Sequence, residues 1–142
     1  MSNKIILHND IIFELYVEND ILHINFLNEF TDDAFKILST KVITFIELCE
    51  EKNKNFYLIL SFLNYTPDIT RGIRNCLHYG KLFVKVLDTQ KNILEKHLNG
   101  TLIITKLLIS YIWPLITTFY KPVKPIKFIE TYEEIDFSFC NK

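Results

Sequence analysis

The chain has little of what common cofactor and metal sites are built from. Gly72, Gly80 and Gly100 are its only glycines and stand far apart. Neither a P-loop nor a GxGxxG turn can be assembled from them, which removes both usual nucleotide cofactors, and no other cofactor is expected. Three cysteines, Cys49, Cys76 and Cys140, are odd in number and lack CxxC or Cys/His ligand spacing. They read as reduced, buried thiols, and with no legible secretory signal the expected location is the cytoplasm. The four histidines, His8, His23, His78 and His97, fall on different expected elements without HxH or HExxH spacing, so no metal site is expected. No GxSxG elbow or cysteine-nucleophile signature occurs either, and no catalytic residue is expected. A formal net charge of −1 provides no basic field for nucleic acid.

A membrane span is missing too. The most hydrophobic window, Leu102 to Tyr120, is interrupted by the charged Lys106 and by Pro114, whereas a span needs about 20 predominantly apolar residues. The chain is nevertheless rich in core material: 49% of its 142 residues are hydrophobic and 14% aromatic, enough for one domain over residues 1–142 without disulfides or metals.

The order of elements predicts an α/β fold. Ile11 to Val17 and Ile21 to Leu27 are strand-like runs around Glu18-Asn19-Asp20, a hairpin signal. Thr31, followed by Asp32 and Asp33, predicts a helix start, and Phe35, Leu38, Val42, Phe45 and Cys49 give that helix one apolar face. Phe56 to Leu63 is a nearly unbroken apolar run, the mark of a central strand covered on both faces. Thr66 and Pro67 suit the cap and first turn of a long helix running toward Asn99, with a break near Gly72 or Asp88. Ile69, Ile73, Cys76, Leu77, Leu82, Phe83, Val86 and Leu87 would face the sheet. Gly100 is expected to end the helix in the left-handed conformation.

Thr101 to Thr105 and Pro125 to Glu130 then read as parallel strands joined by an apolar helix over Leu107 to Tyr120. Thr131, with Glu133 and Glu134, predicts a short final helix, whose Ile135, Phe137 and Phe139 would dock on the sheet edge. The expected architecture is a mixed sheet of about five strands with an antiparallel opening hairpin and four flanking helices. A flavodoxin-like sheet is the alternative.

This order, with Phe56 to Leu63, Asn99-Gly100-Thr101-Leu102-Ile103-Ile104, and Phe119 to Pro122 followed by Pro125 to Ile129, resembles the STAS domain and its SpoIIAA-like relatives, whose sheet is similar to the lipid-binding CRAL-TRIO domain. The resemblance implies a non-catalytic protein-interaction or regulatory module with a protein partner. In that family an acidic strand end leads into a Ser-Ser-Gly-type turn where a Ser or Thr is phosphorylated. Here Ser61 stands in the acidic position and Tyr65-Thr66-Pro67-Asp68 replaces the turn, leaving Thr66 or Thr70 in the equivalent neighbourhood.

Two candidate surfaces follow. Arg71 and Arg74, the only arginines beside fourteen lysines, sit one turn apart near an expected helix start, where free amides and the helix dipole favour anions. With Thr66, Asp68 and Thr70 they make a candidate partner-binding or phosphorylatable surface. The bland alternative is a solvated arginine pair balanced by Asp68. The second surface, Trp113 with Phe119, would serve a small lipid-binding or membrane-surface domain.

Overall fold

The computed structural model describes residues 3–105 and 123–141, with the side chains at 69–71 outside that description. Six strands form one sheet: β1 (Ile5–Asn9), β2 (Phe13–Glu18), β3 (Ile21–Phe26), β4 (Phe56–Ser61), β5 (Leu98–Ile104) and β6 (Ile126–Ile129). They lie side by side in chain order. The first three are antiparallel, and β3 through β6 are parallel. The fold is therefore α/β with a mixed sheet. A flavodoxin-like arrangement, in which the strand order reverses, does not occur.

Local chemistry accounts for the joints. Asn19 and Asp20 both adopt left-handed backbone, at φ 54° and 60°, which makes the two-residue turn whose twist matches the β2–β3 hairpin. In α1 (Asp32–Lys52), the Thr31 hydroxyl accepts the Ala34 N–H at 3.1 Å, and Asp32 and Asp33 face the positive end of the helix dipole. Asn53, at φ 52°, turns the chain out of the helix, and Lys54 N–H donates to the Cys49 carbonyl at 2.9 Å. Ala34, Leu38, Val42, Ile46 and Cys49 form the buried stripe of α1, while Phe35 and Phe45 pack on its flanks. Leu38, Val42 and Ile46, each fully buried, contribute about 1.5–3 kcal/mol apiece, so α1 is firmly seated.

Two further helices, α2 (Ile69–Thr89) and α3 (Lys91–His97), connect β4 to β5. The register Leu22–Leu58–Thr101–Ile126 and Ile24–Leu60–Ile103–Phe128 defines one face of the sheet. All three helices contribute to the core on that face. Right-handed crossovers between strands whose order never reverses put the connecting helices on one side, and this arrangement follows that rule.

The opposite face carries Ile59, Leu102, Ile104 and Ile129, and the C-terminal segment packs over it with Ile135, Phe137 and Phe139. Tyr57 and Phe137 meet at 4.1 Å between ring centroids, and the Ser61 and Tyr132 hydroxyls share a hydrogen bond at 3.0 Å.

Several expectations are corrected. The sheet has a sixth strand, β1, an edge strand bulged between Ile6 and His8, whose short and irregular pattern carries little strand signal. Among the described residues there are three α-helices, the long expected one being divided into α2 and α3. The expected final helix is two short 3₁₀ turns, Tyr132–Glu134 and Ser138–Asn141, the first fixed by Glu134, whose carboxylate accepts the Glu130 and Thr131 N–H groups. Their apolar residues cross a sheet face instead of docking on an edge. The long helix breaks at Gln90, after Asp88.

Thr66 does not cap α2: its N–H and hydroxyl both donate to the Leu27 carbonyl at 3.0 Å, and the helix begins two residues beyond Pro67. Gly100 lies inside β5, not at a helix end, and its φ is not positive. Glycine is needed there for space, because a Cβ would collide with Cys140 Sγ. The expected helix Leu107 to Tyr120 falls outside the described residues.

Two measurements test these packing assignments. Gly100→Ala should lower stability by about 1–3 kcal/mol, the usual cost of overpacking, in a urea titration. Adding Cys140→Ala should restore most of the loss; a double variant no better than the single would mean that Cys140 is not the obstacle.

His23 supplies the second test. It is 8% exposed, stacked on Tyr16 at 4.4 Å, and its Nδ1 has no hydrogen-bond partner. Burial pushes the imidazole down to about 4; Lys4 acts in the same direction and Glu18 opposes. The unfolded chain therefore takes up a proton near pH 6.5 that the folded chain refuses, and stability falls as pH drops from about 6.5 toward 4. Urea midpoints across this range should show His23→Phe keeping about 2–3 kcal/mol that the wild type loses. Parallel pH profiles would refute the assignment.

Candidate functional site

A hollow lies between the helical face of the sheet and α2. At the carboxyl ends of the parallel strands, Phe26, Phe62, Ile103 and Phe128 form its floor; α2 supplies Cys76, Tyr79, Gly80, Phe83 and Val84 above. Its volume is about 100 Å³, and a smaller cavity of about 40 Å³ continues beneath α2, sharing Leu60, Phe83, Val84 and Ile103.

The hollow follows from how α2 is held. Among its described side chains the buried ones, Phe83, Val84 and Leu87, belong to its second half. In the first half Ile73, Cys76 and Leu77 are partly buried against Val84, and polar tethers add to this. The Asn75 amide accepts Phe30 N–H at 2.7 Å and donates to the Phe30 carbonyl at 3.0 Å, and the Tyr79 hydroxyl donates to the Asp32 carboxylate at 2.8 Å. Gly72 lets the preceding loop close against the helix, since a Cβ there would stand 3.0 Å from Tyr65 Cε2 and 3.4 Å from Pro67 Cβ.

The walls are strongly aromatic. Phe26 stacks on Phe62 at 4.6 Å, Phe62 meets Tyr65 edge-on at 6.0 Å, and Tyr79 contacts Phe30 and Phe35 at 5.9 and 5.6 Å. Polar groups are few. The Asn75 amide and Tyr79 hydroxyl are engaged as described, and the hydrogen bond to Asp32 raises the Tyr79 phenol above its ordinary pKa. Burial raises the Cys76 thiol, so it stays protonated, and it also raises Tyr65, with the neighbouring Cys76 adding to the effect. Among the described residues the lining contains no carboxylate and no histidine.

The candidate residues at the start of α2 are placed beside this cavity. Thr66, Asp68 and Arg74 are exposed, and the Asp68 carbonyl accepts the Gly72 N–H at 2.8 Å as the helix begins. Thr70 and Arg71 belong to the first turn, their side chains outside the description. Trp113 and Phe119 lie outside the described residues. Ser61 is buried on the opposite face, where its hydroxyl shares a hydrogen bond with that of the exposed Tyr132.

The cavity was not singled out from sequence. Cys76 and Phe83 were expected to face the sheet, but a helical period shows which residues point inward, not whether the space below them is filled. Among the described residues no group of three or more His, Cys, Asp or Glu is placed to hold a metal, and no helix is long and apolar enough to cross a membrane. No family model, curated protein or solved structure matches the chain.

Proposed function

We propose that the chain is a non-catalytic binding and regulatory module, as its resemblance to STAS and SpoIIAA-like domains implies, and that its ligand site is the cavity beneath α2. The observation carrying this reading is an aromatic hollow at the carboxyl ends of parallel strands, where α/β sheets gather their ligands. A ligand that binds there and not to the unfolded chain stabilises the fold by mass action.

Size separates this reading from the lipid-binding alternative. An engineered apolar cavity of about 150 Å³ holds benzene, whereas sites for drug-sized ligands run from about 300 Å³ upward. A ring-sized group suits the present volume better than a whole acyl chain.

Val84→Phe should fill the void, raising the urea midpoint by the equivalent of about 1–2 kcal/mol while abolishing benzene binding followed by amide NMR shifts. Val84→Leu provides a milder filling. Wild-type protein that shows no saturable shifts with benzene would overturn the ligand-site reading.

The protein-interaction part of the proposal rests on a different surface. Thr66 and Asp68 are exposed just before α2, and Arg74 is exposed early within it. Thr66 is already tied to Leu27 through its hydroxyl, so phosphorylation there would remove a donor that holds the loop to the end of β3. Arg71→Ala with Arg74→Ala should weaken retention of partner proteins on an affinity column by about 1–3 kcal/mol, the range for charge-assisted contacts, with thermal stability unchanged. Equal retention by both forms would remove the arginines from the interface.

A further inference from the structure

Resting on the cavity as the ligand site, a second observation narrows what it takes. Tyr65 lines the cavity, and its Oη is buried without a hydrogen-bond partner. The Cys76 thiol beside it offers only a weak interaction. A buried hydroxyl left this way favours any occupant that supplies a partner. We infer that the cavity recognises a small, neutral, ring-bearing molecule carrying a hydroxyl or carbonyl oxygen, with the ring held among Phe26, Phe62 and Phe83 and the oxygen bonded to Tyr65 Oη.

Each part of this description excludes something. The neutral ring follows from the lining: among the described residues the main cavity is walled by no lysine, arginine, histidine or carboxylate, and a charged ligand there would lose its hydration with no ion pair from them in return. The polar substituent follows from the state of the lining's polar groups. Asn75 accepts from and donates to the backbone of Phe30, and Tyr79 donates its proton to Asp32, so among the described residues Tyr65 is the lining side chain whose hydroxyl has no partner. The position of Tyr65 is also specified, because Gly72 provides the space its ring occupies.

Phenol and benzene differ by one hydroxyl and make a matched pair of probes. A wholly apolar cavity discriminates against phenol, whose hydroxyl would be stripped of water for nothing. Here phenol should bind wild-type protein at least as tightly as benzene, with dissociation constants read from amide NMR shifts. Tyr65→Phe retains the ring, and should weaken phenol about tenfold while leaving benzene unchanged or slightly tighter. If benzene binds but phenol does not, or if Tyr65→Phe treats the two probes alike, the assignment to Tyr65 is overturned and the apolar cavity still stands as a site. If neither probe binds wild-type protein, the ligand-site reading fails and this inference fails with it.

Discussion

The structure depends on one constraint, the unreversed order of its parallel strands. With right-handed crossovers, β3, β4 and β5 following one another across the sheet commit α1, α2 and α3 to a single face. That face becomes the main core. The other must be closed by different means, and the chain closes part of it with its own C-terminal segment, laid over Ile59, Leu102, Ile104 and Ile129. Gly100 is the price of that closure, since only a residue without Cβ lets Cys140 lie against β5.

Crowding the helices on one side also shapes the candidate site. Among the described residues two connections share the face, and α1 takes the better seat through a stripe of five buried residues, three of them only 1% exposed. For α2 the buried side chains described belong to the second half, while Asn75 and Tyr79 tie the helix to Phe30 and Asp32 beside the strands. A helix fixed at one end by packing and at the other by hydrogen bonds need not collapse onto the strands below. The cavity is the space that remains. An unreversed order also removes the topological switch point, the crevice where doubly wound sheets bind their ligands. Binding at the strand ends then has to use the interval between helix and sheet.

Most of the fold was legible because its signals were local. The Thr31-Asp32-Asp33 start, the Asn19-Asp20 turn and the apolar run from Phe56 each carry their structural meaning within a few residues. What escaped was set by distant partners. Gly100 looked like a helix stop because Asn99-Gly100 commonly serves as one, and only the arrival of Cys140 shows that its lack of a side chain is used for contact. Thr66 looked like a cap because Pro67 follows it, yet the Leu27 carbonyl, 39 residues earlier, claims its hydroxyl. β1 was silent because a bulged edge strand needs neither regular alternation nor full burial. The cavity was the least legible feature, being a property of the gap between elements and not of any one of them.

The loop after β4 joins the two candidate surfaces more directly than their chemistry suggests. Tyr65 belongs to the cavity wall, and Thr66, the next residue, belongs to the exposed surface and is bonded to the end of β3. Tyr65 N–H donates to the Phe62 carbonyl at 3.1 Å, and Phe62 itself forms part of the floor. Between floor and surface the chain has no slack: a tight turn at 62–65, two hydrogen bonds from Thr66 to one carbonyl, and Pro67 against Gly72. A displacement of the Tyr65 ring has to be taken up by the Thr66–Leu27 bonds or by the first turn of α2. Whatever free energy couples the two surfaces acts equally in both directions, so a partner that fixes residues 66–74 would also fix the cavity wall.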